Sequence, residues 1–136
     1  MAHPGPTLGF QLGNDGLKTI ETIRKGVPVE MVDALIEQGV VSRKQVYDLV
    51  APRRTLTHRR SRGEPLTTEE SERLFRVNRI VQHAIETFGN ADKARAYLNK
   101  PMRRFEGRSC VDMLDTNLGA ELVQELLTRI DHGIPG

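Results

Sequence analysis

The sequence predicts an all-α protein. None of the 136 residues is tryptophan and only 4% are aromatic, so the core has to be aliphatic, which favours helices over a sandwich. Apolar residues recur at three- and four-residue spacing, and no segment alternates like a half-buried strand. The length suits one domain, or two small helical units sharing an interface.

The opening, MAHPGPTLGFQLGND, is rich in glycine, proline and polar residues and predicts a tail over 1–15, mobile when free. It lacks the basic start and apolar run of a signal peptide, and no later segment is apolar for long enough to span a bilayer. Cys110 is the only cysteine, which excludes an intramolecular disulfide and a cysteine-rich zinc site, so cytoplasmic residence is the expectation.

Helical elements follow in order. In VPVEMVDALIEQG, from Val27 to Gly39, the side chains of Val29, Val32, Leu35 and Ile36 form one stripe, Pro28 fits a first turn and Gly39 a stop. Next, Ser42 suits an N-cap, and Val46, Leu49 and Val50 share a face before Pro52 forces a boundary. The run RRTLTHRRSRG then offers Leu56 as its one strong apolar anchor and ends at Gly63. Helix, short helix, tight turn and basic helix is the order of a helix-turn-helix, here spanning 16–65.

A second helical unit is predicted over 66–136. Thr67 and Glu70 fit a capping box, and Leu74, Val77, Ile80, Val81, Ala84, Ile85 and Phe88 trace a long helix that ends at Gly89. NADKARAYLN is a shorter helix ended by Pro101, KPMRRFEGRS a loop, and Ser109 with Asp112 caps a short turn to Leu114. Thr116 caps the last helix, in which Leu118, Leu122, Val123, Leu126, Leu127 and Ile130 are expected to face one way, up to a stop at Gly133.

Charge is unevenly spread. The chain sums to +2, but between Val41 and Pro65 seven basic residues meet only two acidic ones, so the remainder is net acidic. Arg53, Arg54, Arg59 and Arg60 flank Leu56 with no acid nearby in sequence except Glu64, and Thr55, Thr57 and His58 add shorter donors between them. This block is either a solvated face or a dock for a polyanion. Guanidinium groups fork onto phosphate or guanine edges, and the absence of aromatics disfavours unpaired bases, so duplex DNA is the polyanion that fits. Ser42, Lys44, Arg53, Arg54, Thr55, Thr57, His58, Arg59, Arg60 and Arg62 are the candidate DNA contacts.

From about Gly26 onward, RRTLTHRR, LTTEESERLFRV, AIETFG with KARAYL, GRSCVDMLDTNLG and LLTRIDHG, in that order, resemble antitoxins of the Xre/MbcA/ParS type. Tyr97 stands where that family usually has tryptophan, and Cys110 where it usually has proline. The resemblance implies a helix-turn-helix joined to a C-terminal toxin-binding domain, with two partners. One is operator DNA, bound by a homodimer that represses its own operon. The other is a RES-type toxin that consumes NAD, encoded by the adjacent gene. The C-terminal helix and tail would block its active site, which maps here to Leu126, Arg129, Ile130, Asp131, His132, Gly133 and Ile134. The chain itself would catalyse nothing and need no cofactor or metal.

Other readings bear on the same residues. His83 lacks the neighbouring ligands a metal site needs and is read as half-buried; Cys110 has no histidine close in sequence to act as base and is read as packing. The tail TRIDHGIPG, with Gly133 and Pro135 shaping its exit, is by pattern either a frayed end or a segment that orders in a concave site. A stand-alone helix-turn-helix regulator, or a protein whose basic block binds an acidic protein, are the alternatives of a different class.

Overall fold

The computed structural model describes residues 16–134; the segment 1–15, expected as a tail, and Pro135 and Gly136 lie outside them. Within them the chain is all-α, as expected: α1 (Gly16–Lys25), α2 (Glu30–Glu37), α3 (Arg43–Leu49), α4 (Arg53–Arg62), α5 (Thr68–Phe88), α6 (Ala91–Asn99), two 3-10 turns (Arg103–Phe105 and Val111–Asp115) and α7 (Asn117–Asp131).

Local signals set most of these boundaries. The Ser42 hydroxyl accepts from Gln45 N–H while the Gln45 side chain accepts from Ser42 N–H, closing a capping box on α3. Thr67 and Glu70 do the same for α5, and the left-handed Gly89 ends that helix. Ser109 and Asp112 cap each other ahead of the second 3-10 turn, and Thr116 caps α7.

Two expectations need correction, and one helix is additional. The helix predicted from Val27 starts only at Glu30, because Val27 is used elsewhere: its N–H donates to Ser71 Oγ and its carbonyl accepts from Leu66 N–H, both at 2.9 Å. Helix α1 was not anticipated; its buried residue is Thr19, whereas Leu17 and Ile20 stay exposed, so its apolar pattern does not mark its packed face. On α7, Leu118 is 68% and Leu122 41% exposed, while the small Gly119 and Ala120 are buried with Val123, Leu126 and Leu127. Gly119 explains the shift: a Cβ there would lie 1.8 Å from Met113 O, so the bare backbone is what lets α7 close onto the preceding turn.

One hydrophobic core runs from Val27 to Leu127, joining Leu35, Val46 and Leu56 in the first half to Leu74, Val77 and Val81 of α5 and to Leu98, Leu114, Val123 and Leu127 beyond it. Polar bonds reinforce the junction. Arg73 donates to Val50 O, Arg95 to Gly39 O, and Asn99 to Val40 O while accepting from Gln45. Each of these carbonyls lies at or just past the end of α2 or α3, where helix geometry leaves acceptors unpaired.

Candidate functional site

Leu56, 4% exposed, anchors α4 to the core. Three and four residues beyond it, at the C-terminal end of α4, come Arg59 and Arg60, which the fold brings against α5 and α2. Arg59 therefore does not face solvent as expected. Its Nε and Nη2 donate to the two carboxylate oxygens of Glu70 at 2.8 and 3.0 Å, with side-chain exposures of only 20% and 10%, and Glu64 lies 3.8 Å away. Arg60 forks onto Asp33 of α2 at 2.9 and 3.1 Å, in a more open setting. Glu64, the one acid near these arginines in sequence, does lie beside Arg59, but the closer partners, Glu70 and Asp33, are 11 and 27 positions away and are brought up by the fold.

The Arg59–Glu70 pair is electrostatically tuned. Burial works to raise the Glu70 carboxyl, yet the hydrogen bonds from Arg59 and from Thr67 N–H, with the Arg59 charge, hold it below its ordinary value. The hydrogen bond to Glu70 in turn raises Arg59. Glu70 Oε1 serves both the α5 cap and Arg59, so the start of α5 and the end of α4 share one carboxylate.

What remains outward on α4 is a smaller set. Arg53, Arg54, Thr57, His58 and Arg62 are exposed, Thr55 is half-buried, and among the described residues none of the three arginines has an ion-pair partner. Ser42 is occupied as a cap and Lys44 pairs with Asp48 at 3.2 Å on an open surface. The result is a row of free cations on one helix, backed by two cations spent on holding that helix in place.

The end of α7 is as well defined. Gly133 is left-handed, Ile134 N–H donates to Arg129 O and Gly133 N–H to Ile130 O, a Schellman closure that directs the chain out of the helix. Pro135, expected to share in that exit, lies outside the described residues. Asp131 points back into the fold: it accepts from Thr87 Oγ1 at 2.6 Å and pairs with His83 Nε2 at 2.6 Å, which hold its carboxyl below the ordinary range. Gln124 Nε2 lies 2.7 Å from His83 Nδ1, so donation by the amide and by the ring Nε2–H satisfies both ring nitrogens. His83 is thus a strut between α5 and α7. Around this anchor Arg129, His132, Gly133 and Ile134 are exposed, Ile130 is half-buried and Leu126 is buried in the core.

Sequence reading missed Asp33, Thr87 and Gln124 altogether and saw Glu70 only as a cap. No local signal marks the first three, since each partner lies more than 25 residues away. Cys110 is fully buried, 3.9 Å from Met102 Sδ, and burial pushes its thiol up to about 11, in keeping with a packing role.

Comparison with known proteins agrees with this layout. Residues 18–79 match the family model of the antitoxin Xre-like helix-turn-helix domain, and residues 83–133 that of the antitoxin Xre/MbcA/ParS C-terminal toxin-binding domain. An Antitoxin Xre of Pseudomonas putida is 40% identical over 111 residues, covering 82% of this chain and 69% of that one. One of Yersinia enterocolitica is 30% identical over 121 residues, covering 88% and 82%. A protein of a Sphingobium species named Prs ADP-ribosylating antitoxin is 28% identical over 124 residues, covering 84% and 78%. The chain belongs to the Xre family of antitoxins, with a helix-turn-helix followed by a toxin-binding domain.

Proposed function

We propose that this antitoxin neutralises a RES-type toxin that consumes NAD, by covering the mouth of its active site with the end of α7 and the tail, and that it catalyses nothing itself. The observation that carries this reading is the build of that end. Asp131 is fastened to α5 through Thr87 and His83, while Arg129, His132 and Ile134 stand free around it on a closed helix terminus. A side-chain set held on a rigid end loses little freedom on binding, which favours tight occlusion. The relative named Prs ADP-ribosylating antitoxin supports a partner whose chemistry spends NAD.

The second surface is assigned to operator DNA. Arg53, Arg54, Thr57, His58 and Arg62 would face the duplex from α4, with Arg59 and Arg60 acting indirectly by fixing that helix on Glu70 and Asp33. Ser42 and Lys44 flank it from the start of α3. A dimer would present two such helices to a two-fold operator in the cytoplasm.

Co-expression with the product of the adjacent reading frame tests the first assignment. Co-purification and protection of cellular NAD are expected, and truncation after Arg129 should weaken both; a truncated chain that still silences the toxin at full affinity overturns occlusion.

A further inference from the structure

The segment 100–108, which the sequence presents as a plain loop, is folded on itself. Gly107 N–H donates to Met102 O at 2.9 Å, Met102 N–H to Arg108 O at 3.0 Å, and Phe105 is buried beneath. Held this way, Lys100, Arg103 and Arg104 project outward, and among the described residues none of them has a carboxylate partner; Lys100 sits over the Tyr97 ring, 5.0 Å from its centre. Arg104 forms a ridge between two grooves. One, of about 650 Å³, runs past Tyr97 and Met102 to Ile130; the other, of about 420 Å³, is floored by Phe105, Met113 and Leu126 under the exposed Leu122.

Both grooves reach α7 residues of the proposed occluding tip, Ile130 on one side and Arg129 on the other, and run from there to side chains outside it. Five cations line the pair against two carboxylates, Glu106 and Glu125. A second copy meeting this face with its own equivalent face would bring like charge to like charge. A phosphodiester backbone would use the cations but leave the phenyl, thioether and isobutyl floor unfilled.

We propose that this preformed loop is a second part of the toxin interface: it takes an acidic segment of the toxin, whose carboxylates lie on Lys100, Arg103 and Arg104 and whose apolar side chain fills the groove beneath Leu122. The inference rests on the C-terminal half binding the toxin and adds a site that the occluding tip does not contain. Charge at the loop sets the encounter and partner choice, and the apolar groove the residence time.

The full-length chain carrying Arg103→Glu with Arg104→Glu, and separately Leu122→Ser, tests it against the toxin from the adjacent reading frame. All three side chains are exposed, so thermal midpoints should match the parent. The double reversal is expected to weaken toxin binding at least about tenfold and to flatten its salt dependence, and Leu122→Ser to speed dissociation, with retention of the chain's own upstream DNA unchanged. Toxin affinity that survives both variants but falls on truncation after Arg129 confines the interface to the tip and overturns the loop site alone. Lost DNA retention with intact toxin binding assigns the face to nucleic acid and overturns it too, as does a change only in self-association. If the unaltered chain fails to bind the toxin, the occlusion reading falls together with it.

Discussion

Replacing Arg59 by alanine separates a cation that supports α4 from one that touches DNA. The substitution removes a forked pair of 2.8 and 3.0 Å and strands a carboxylate that is 10% exposed. Breaking a fully buried pair costs about 3–5 kcal/mol; here the guanidinium edge meets water and Glu70 keeps its bond from Thr67 N–H, so about 1–2 kcal/mol is expected. For a chain of this size that lowers the melting midpoint by about 3–8 °C. The sign with pH follows from Glu70. Its carboxyl sits below its ordinary value in the folded chain, so it contributes stability above the ordinary carboxylate range that is lost as pH falls through the folded value. Arg59→Ala should therefore cost most at neutral pH and least in acid. The assay is thermal unfolding across pH, paired with operator binding across salt, where loss of one phosphate contact lowers the logarithmic salt slope by about 1. An unchanged midpoint together with a slope reduced by a full unit would refute the structural role and return Arg59 to the DNA face.

The exposed arginines should behave in the opposite way: Arg53→Ala and Arg54→Ala leave the melting midpoint in place and each reduce the operator salt slope by about 1, read by gel shift at several salt concentrations. Gly119→Ala would drive a Cβ to 1.8 Å from Met113 O and 3.1 Å from Thr116 Oγ1, and should cost about 2–3 kcal/mol in chemical denaturation by prising α7 from the preceding turn. Cys110, buried and with its thiol pushed up to about 11, should resist alkylation at pH 8 in the folded chain and react at once when the chain is unfolded, measured by mass spectrometry. His132→Ala should weaken toxin binding without lowering stability, whereas Asp131→Ala should lower both, because only Asp131 is bonded to Thr87 and His83.

What the sequence determined by itself was everything encoded within a turn or two of the chain. Ser42 and Thr67 announce helix starts, Gly89 and Gly133 announce ends, and Leu56 names the inward side of α4, because caps, stops and stripes act between residues three or four apart. The resemblance to the antitoxin family was carried by residue motifs such as RRTLTHRR, GRSCVDMLDTNLG and LLTRIDHG in their order along the chain. Tertiary structure decided which side chains are spent on the fold and which are left for a partner. Arg59 and Arg60 look like Arg53 and Arg54 in the sequence, and differ only because Glu70 and Asp33 are folded against them. Leu118 and Leu122 look like Val123 and Leu127, and differ because Gly119 and Ala120 turn α7 to present its smallest residues to its neighbours. Asp131 looks like a free tail carboxylate and is held by two residues over 40 positions away. Each distinction depends on contacts between distant segments, whose geometry no local pattern carries.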